Sequence, residues 1–282
     1  MNETSSARSR SFWERLPLSL RAILSGFAVT LIGIYVWGAA LTLRGPAQAV
    51  PITLAYLVLY LVWVSGNLPP KSTRDARRRA FRPLQLGGWG LLAALAFAVT
   101  VEAGLFLLFR FTPFPREAFR TLPALPHASP LLTWATIATG ALVAGICEET
   151  GFRGYLQQPI EARHGPVLAI LVSSALFTVF HLNQAWATLA MLPVIFVAGA
   201  LLGLLAWAAR SLVPGIIGHA TMDVANFAYW WTGYVGDYSQ RPISQTGIDK
   251  AFLIEAGILA AALLVFIVAL VCIRRSATLP RG

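Results

Sequence analysis

Charge is what this sequence has least of: only 12% of its 282 residues are Asp, Glu, Lys or Arg, about half the share of a soluble domain. That shortage excludes a soluble globule of this size. Acidic residues are the scarcer sign, 12 against 22 basic ones. Cysteine is nearly absent. Cys147 and Cys272 lie in or at the end of apolar runs without CxxC spacing, which excludes a disulfide framework and a thiolate zinc site. There is no phosphate-cradling Gly-Lys-Ser/Thr loop and no visible internal repeat, inverted or parallel.

Hydrophobic residues make up 57% of the chain, with a mean hydropathy of +0.66. Eight apolar runs fall at about 22–43, 50–68, 86–109, 131–157, 166–183, 186–208, 213–231 and 251–273, each near the ~20 residues a helix needs to cross a bilayer. The expected fold is an all-α polytopic membrane protein of eight transmembrane helices, with no room for a separate soluble domain. The first run is longer than the apolar part of a cleaved leader, so it is expected to stay as an anchor even though Ala47-Gln48-Ala49 imitates a cleavage site.

The net charge of +10 and pI of 10.4 would suggest a nucleic-acid partner in a soluble protein. Here the distribution of charge reads as topology instead, and no nucleic acid is expected. Sixteen of the twenty-two basic residues sort to one side, including Arg8, Arg10, Arg15 and Arg21 at the start, the cluster Lys71–Arg82, and Arg274, Arg275 and Arg281 at the end. The positive-inside rule then puts both termini in the cytoplasm. The 71–82 cluster can also meet anionic lipid headgroups. Trp230, Trp231, Tyr234 and Tyr238 are expected to form an interfacial aromatic belt, and Gly199-x-x-x-Gly203 to pack helices within the fold.

A charged side chain at the centre of a span costs about 2.5–3.5 kcal/mol on insertion scales, so those present need partners or a function. They cluster in three windows: Glu148-Glu149-Thr150-Gly151-Phe152-Arg153, Phe177 to His181, and His219 to Asp223. On a helix Glu149 and Arg153 are i and i+4, an ion-pair spacing, while Glu148 points about 100° away. Pairing Glu149 with Arg153 leaves Glu148 as the candidate general base. His219, Asp223 and Asn226 form one stripe, and His181 with Phe177 one turn earlier can face it. At 1.5 Å per residue Glu148, His181 and His219 can meet in the inner half or middle of the bilayer, in a cavity between the fourth, fifth and seventh helices.

Three chemistries fit these windows: a self-satisfied polar network, a proton-coupled transporter, or an intramembrane hydrolase with base, water and oxyanion donors. The adjacent Glu pair and the lack of inverted repeats favour the hydrolase. HExxH and GxSG are absent, and Gly233 to Asp237 has the wrong spacing for GxGD.

Taken in order on successive apolar helices, the windows resemble the CPBP family (CAAX prenyl endopeptidases and bacteriocin-processing or immunity proteins, also called the ABI family), with motifs EExxxR, FxxxH and HxxxN or HxxxD. The resemblance covers about residues 131–231. It implies a membrane-embedded endopeptidase with site residues Glu148, Glu149, Arg153, His181, His219 and Asp223. Glu148 and His181 would activate water, while His219 and the residue at 223 would stabilise an oxyanion. Membrane lipids and a membrane-associated peptide or protein substrate are the implied partners. A non-catalytic immunity or scaffold protein is the alternative.

The family often has Asn where this chain has Asp223. Asn donates at any pH, whereas Asp donates only when protonated. Asp223 must therefore hold a proton, yield the role to Asn226, or ligate a metal. The family is often labelled metalloprotease, and Glu148, His181, His219 and Asp223 could hold zinc. The metal-free reading is favoured, since a water-activating glutamate explains the same residues. No cofactor is assigned.

Outside the windows, Glu102 has no assignable partner, Glu255 is expected to reach the interface, His127 and His164 to sit solvated in loops, and Cys147 to be a packing residue. The chain thus divides into an N-terminal segment with three spans (1–130), a catalytic core (131–231), and an external loop, last span and basic tail (232–282). In intact bacterial cells a cysteine placed at 75 or in the C-terminal tail should resist an impermeant thiol reagent, while one near 240 should be labelled. Labelling of position 75 from outside would invert this topology.

Overall fold

The computed structural model describes residues 12–44, 48–67, 78, 80–81, 87–119, 129–184, 187–232, 235–236 and 238–278. Among the described residues eight long helices follow one another: α1 (Leu18–Arg44), α2 (Ala49–Val62, continued by π-helix over Trp63–Asn67), α3 (Gly87–Phe111), α4 (Pro130–Glu148), α5 (Pro166–His181), α6 (Leu192–Ala209), α7 (Val213–Trp231) and α8 (Lys250–Thr278). After α4 the chain continues as π-helix over Glu149–Gln157 and as α-helix over Gln158–His164. Single helical turns occur at Phe12–Arg15, Arg116–Phe119 and Ile243–Thr246, and no strand occurs among the described residues.

Leu18–Leu41, Gly87–Phe111, Pro130–His164, Leu192–Ala209 and Lys250–Ser276 are long and apolar enough to cross a bilayer; Val50–Gly66 and Pro166–His181 are apolar but shorter. The chain is an all-α polytopic membrane protein. The apolar runs recur as helices with shifted ends, five of them, among the described residues, long and apolar enough to cross a bilayer. The run expected to stop at 157 continues to His164, where Gly165 turns at φ +85° and Pro166 opens the next helix. His164 is therefore the last residue of a helix. The run expected from 186 starts at Leu192, with Pro193 in its first turn. Prolines also begin α4, α5 and α7, where the missing N–H costs nothing.

Exposed Leu, Ile and Val cover the outer faces of α2 (Leu54, Val58, Leu59) and α8 (Leu264, Ile267, Val268). In water such faces would be an aggregation hazard, but they are the surface that lipid requires. Inward, α3 packs on α7 and α8, α5 on α6, and α4 on α7. At the C-terminal end of α3 Arg110 grips Glu255 through two hydrogen bonds of 3.0 and 3.1 Å, tying α3 to α8. Glu255, expected to reach the interface, is held in this pair. The turn between α6 and α7 hangs on Ala80, whose carbonyl accepts from Leu212 N at 2.8 Å and Ser211 Oγ at 3.2 Å. Apart from Arg78, the basic residues of the 71–82 cluster lie outside the described residues, as do Arg8, Arg10, Ala47, Arg120, His127, Tyr234, Asp237 and Arg281.

The contact that positions the functional windows is that of α1 with the π-helical segment. A Cβ on Gly151 would collide with Thr30 Oγ1 and stand 2.6 Å from Gly26 O, and one on Gly26 would stand 2.8 Å from Gly151 O. Backbone therefore meets backbone, with the Thr30 and Leu156 side chains pressed against the same contact. Gly151→Ala should lower the detergent melting temperature, an overpacking cost of about 1–3 kcal/mol. Gly104→Ala, with open space around the added methyl, should leave it unchanged or raise it. Equal behaviour of the two variants would disprove the close contact.

Candidate active site

The three polar windows converge. Glu148 ends the α-helical part of α4, and Glu149 opens the nine-residue π-helical segment. Bonding from i to i+5 is uncommon and often marks functional sites. From sequence this stretch reads as ordinary α-helix, since nothing in its composition distinguishes the two. The i, i+4 pair nevertheless forms: Arg153 Nη1 donates to Glu149 Oε1 at 2.9 Å with both side chains fully buried.

Arg153 has two further partners. Its Nη2 donates to the carbonyl of Gly199 at 2.8 Å, and its guanidinium lies 4.6 Å from the centre of the Phe177 ring. One turn along, Gln157 Nε2 donates to the Gly203 carbonyl at 3.0 Å. The glycine pair thus packs within the fold as expected. Its carbonyls also receive the polar side chains of the π-helical segment, a role the spacing alone does not reveal.

His219 joins the same cluster from α7. Its Nδ1 lies 2.9 Å from Glu149 Oε1, and because a carboxylate only accepts, Nδ1 carries the hydrogen. Glu149 therefore takes bonds from both Arg153 and His219. The Glu149–His219 link is invisible to sequence reasoning because it joins residues 70 positions apart. His181 follows the same rule at the end of α5: its Nδ1–H donates to the Phe177 carbonyl at 2.8 Å, with the two rings 4.5 Å apart.

With both Nδ1 atoms engaged, both Nε2 atoms turn to Glu148. Glu148 Oε2 lies 3.9 Å from His181 Nε2 and 3.8 Å from His219 Nε2, too far for direct hydrogen bonds. That oxygen is buried with no hydrogen-bond partner among the described residues. Asp223 Oδ2 stands 3.6 Å from His219 Nε2. A gap of this size between acceptors suits a bridging water. Three carboxyl groups face one guanidinium here, so protons on the imidazoles or carboxyls must offset the remaining charge.

The side chains of Glu148, His181, His219 and Asp223 are donor types that zinc accepts. Among the described residues no group of three or more His, Cys, Asp or Glu side chains is arranged to hold a metal ion.

Two expectations are corrected outside the six residues. Tyr238 is not part of an interfacial belt: its side chain is fully buried, packed on Phe106, Phe109, Phe114 and Tyr229. Its hydroxyl bonds Glu102, which thereby has the partner the sequence did not supply, and lies 2.8 Å from Asn226 Oδ1. Asn226 is thus engaged by Tyr238. Cys147 is buried beside Gly33, in the packing role expected of it.

No curated protein and no solved structure matches the chain. Residues 130–225, from the start of α4 to two turns short of the end of α7, match the family described as type II CAAX prenyl endopeptidase Rce1-like. That stretch contains all three windows and all six site residues, and it agrees with the CPBP resemblance carried by their motifs. Over residues 130–225 the chain is therefore similar to the Rce1-like family of CAAX-type intramembrane proteases.

Proposed function

We propose that the protein is an endopeptidase of the bacterial cytoplasmic membrane, with both termini inside, that hydrolyses a peptide bond of a membrane-associated peptide or protein using a water activated by Glu148 and His181. The observation that carries this reading is the convergence of His181 Nε2 and His219 Nε2 on the unpartnered Glu148 Oε2 at 3.9 and 3.8 Å. Glu149 also keeps a buried oxygen without a partner, but its Oε1 is taken by Arg153 and His219, whereas the unbonded oxygen of Glu148 faces two histidine nitrogens.

In this reading Glu148 accepts one proton of the water, while the lone pair of His181 orients the other, its Nδ1–H being fixed on Phe177. The hydroxide oxygen bonds to the scissile carbonyl carbon and the C=O pair moves onto oxygen. The resulting oxyanion is met by His219, when its Nε2 carries a proton, and by protonated Asp223. Collapse of the intermediate breaks the C–N bond, and the proton held by Glu148 passes to the leaving amine. Glu149 and Arg153 do no chemistry; they hold His219 in register. The core would span 131–231, preceded by three spans over 1–130 and followed by a loop, a span and a basic tail over 232–282.

Against a quenched peptide library, Glu148→Gln should lose hydrolysis by about 10²–10⁴-fold while keeping its fold, since an amide cannot take the proton. Retained turnover in a correctly inserted variant sinks the assignment. In the same assay Asp223→Asn should stay active, because the amide donates without needing a proton. Chelator should have no effect, and elemental analysis should find no stoichiometric divalent ion. An inactive Asp223→Asn, paired with one metal per wild-type chain, would replace this mechanism with a zinc one.

A further inference from the structure

A second buried polar centre sits on the outer half of the stripe carried by α7. Asn226 lies seven residues, or about 10 Å, beyond His219 along the helix. Its Oδ1 is 2.8 Å from the Tyr238 hydroxyl oxygen, and that hydroxyl also bonds Glu102 Oε2 of α3. Tyr238 comes from neither helix. It lies in the external connection between α7 and α8, and its ring is enclosed by Phe106 and Phe109 of α3, Phe114 beyond it, and Tyr229 of α7.

A hydroxyl carries one hydrogen, and here it meets two acceptor oxygens. The second hydrogen must come from Glu102 as a carboxylic acid, or from an Asn226 amide turned over so that its nitrogen faces Tyr238. In either arrangement the tyrosine oxygen is the joint, and three parts of the chain meet there. The other carboxyl oxygen of Glu102 is buried with no partner among the described residues, so the hold on Glu102 passes through Tyr238. Asn226 follows Asp223 by three residues, about one turn along α7. What Tyr238 fixes is therefore the part of α7 and α3 that backs the oxyanion side of the site.

We propose that Tyr238 is a positioning residue: its hydroxyl latches the external connection to Glu102 and Asn226, and through them holds α7 in the register that His219 and Asp223 require. It touches none of the reacting atoms. The expected effect on hydrolysis rests on the peptidase reading, but the latch itself does not.

Tyr238→Phe keeps the ring and its packing and removes one oxygen, so the fold should survive. Glu102→Leu breaks the latch from the other side, whereas Glu102→Gln keeps a group able to bond the hydroxyl. In nanodiscs, amide hydrogen exchange over 226–232 and 238–246 should rise on the order of tenfold in Tyr238→Phe and Glu102→Leu, and match wild type in Glu102→Gln. In the peptide assay the first two should lose kcat on the order of tenfold with KM unchanged, and Glu102→Gln should rescue it. Unchanged exchange in Tyr238→Phe overturns the proposal, and so does a rise confined to 238–246 with α7 undisturbed. A full exchange response in a chain that cleaves nothing, wild type included, would uphold the latch while sinking the peptidase reading.

Discussion

Arg153 has no contact with solvent, and a guanidinium keeps its charge inside a protein. Much of the centre of the bundle is built to answer that one cation. Glu149 supplies the counter-charge one turn away, the Gly199 carbonyl takes a second donor, and the Phe177 ring lies against its face. These partners come from the π-helical segment, α6 and α5. Removing the counter-charge strands a buried cation, a loss on the order of 3–5 kcal/mol for a dry pair.

From that anchor the geometry of the site follows. Glu149 already holds Arg153, and its Oε1 also accepts from His219 Nδ1. The other nitrogen of His219 must then face the space beside Glu148. His181 reaches the same space by a parallel device, with the Phe177 carbonyl holding its Nδ1. Two neighbouring glutamates end in different situations: each keeps a buried oxygen with no hydrogen bond, but Glu149 accepts from two donors through Oε1, while Glu148 Oε2 faces the Nε2 atoms of His181 and His219. This asymmetry comes from direction along the helix, not from residue type. In the proposed mechanism it would let a low-dielectric site keep one carboxylate structural and leave its neighbour for chemistry.

Much of this was legible in the sequence. Hydrophobic run lengths marked the helices, because the bilayer fixes how long an apolar helix must be. The Glu149–Arg153 spacing pointed to the ion pair, because i and i+4 meet on any near-helical backbone. Contacts over long separations were not legible. Nothing local says that Glu149 meets His219, or that Tyr238 turns inward to Glu102 rather than outward to the interface. Tyrosine suits both places, having an apolar ring and a polar tip. The π-helical turn was hidden for a related reason: it changes the backbone bonding pattern without altering composition.

The central claim is that Glu148 and Glu149 divide base from scaffold, and paired measurements of melting temperature and turnover on Glu148→Gln and Glu149→Gln test it most directly. If the two roles are divided in this way, Glu148→Gln melts near wild type and loses turnover, while Glu149→Gln melts well below it because Arg153 loses its counter-charge. Equal melting temperatures for the two variants, or a Glu149→Gln protein as stable as wild type, would contradict that division.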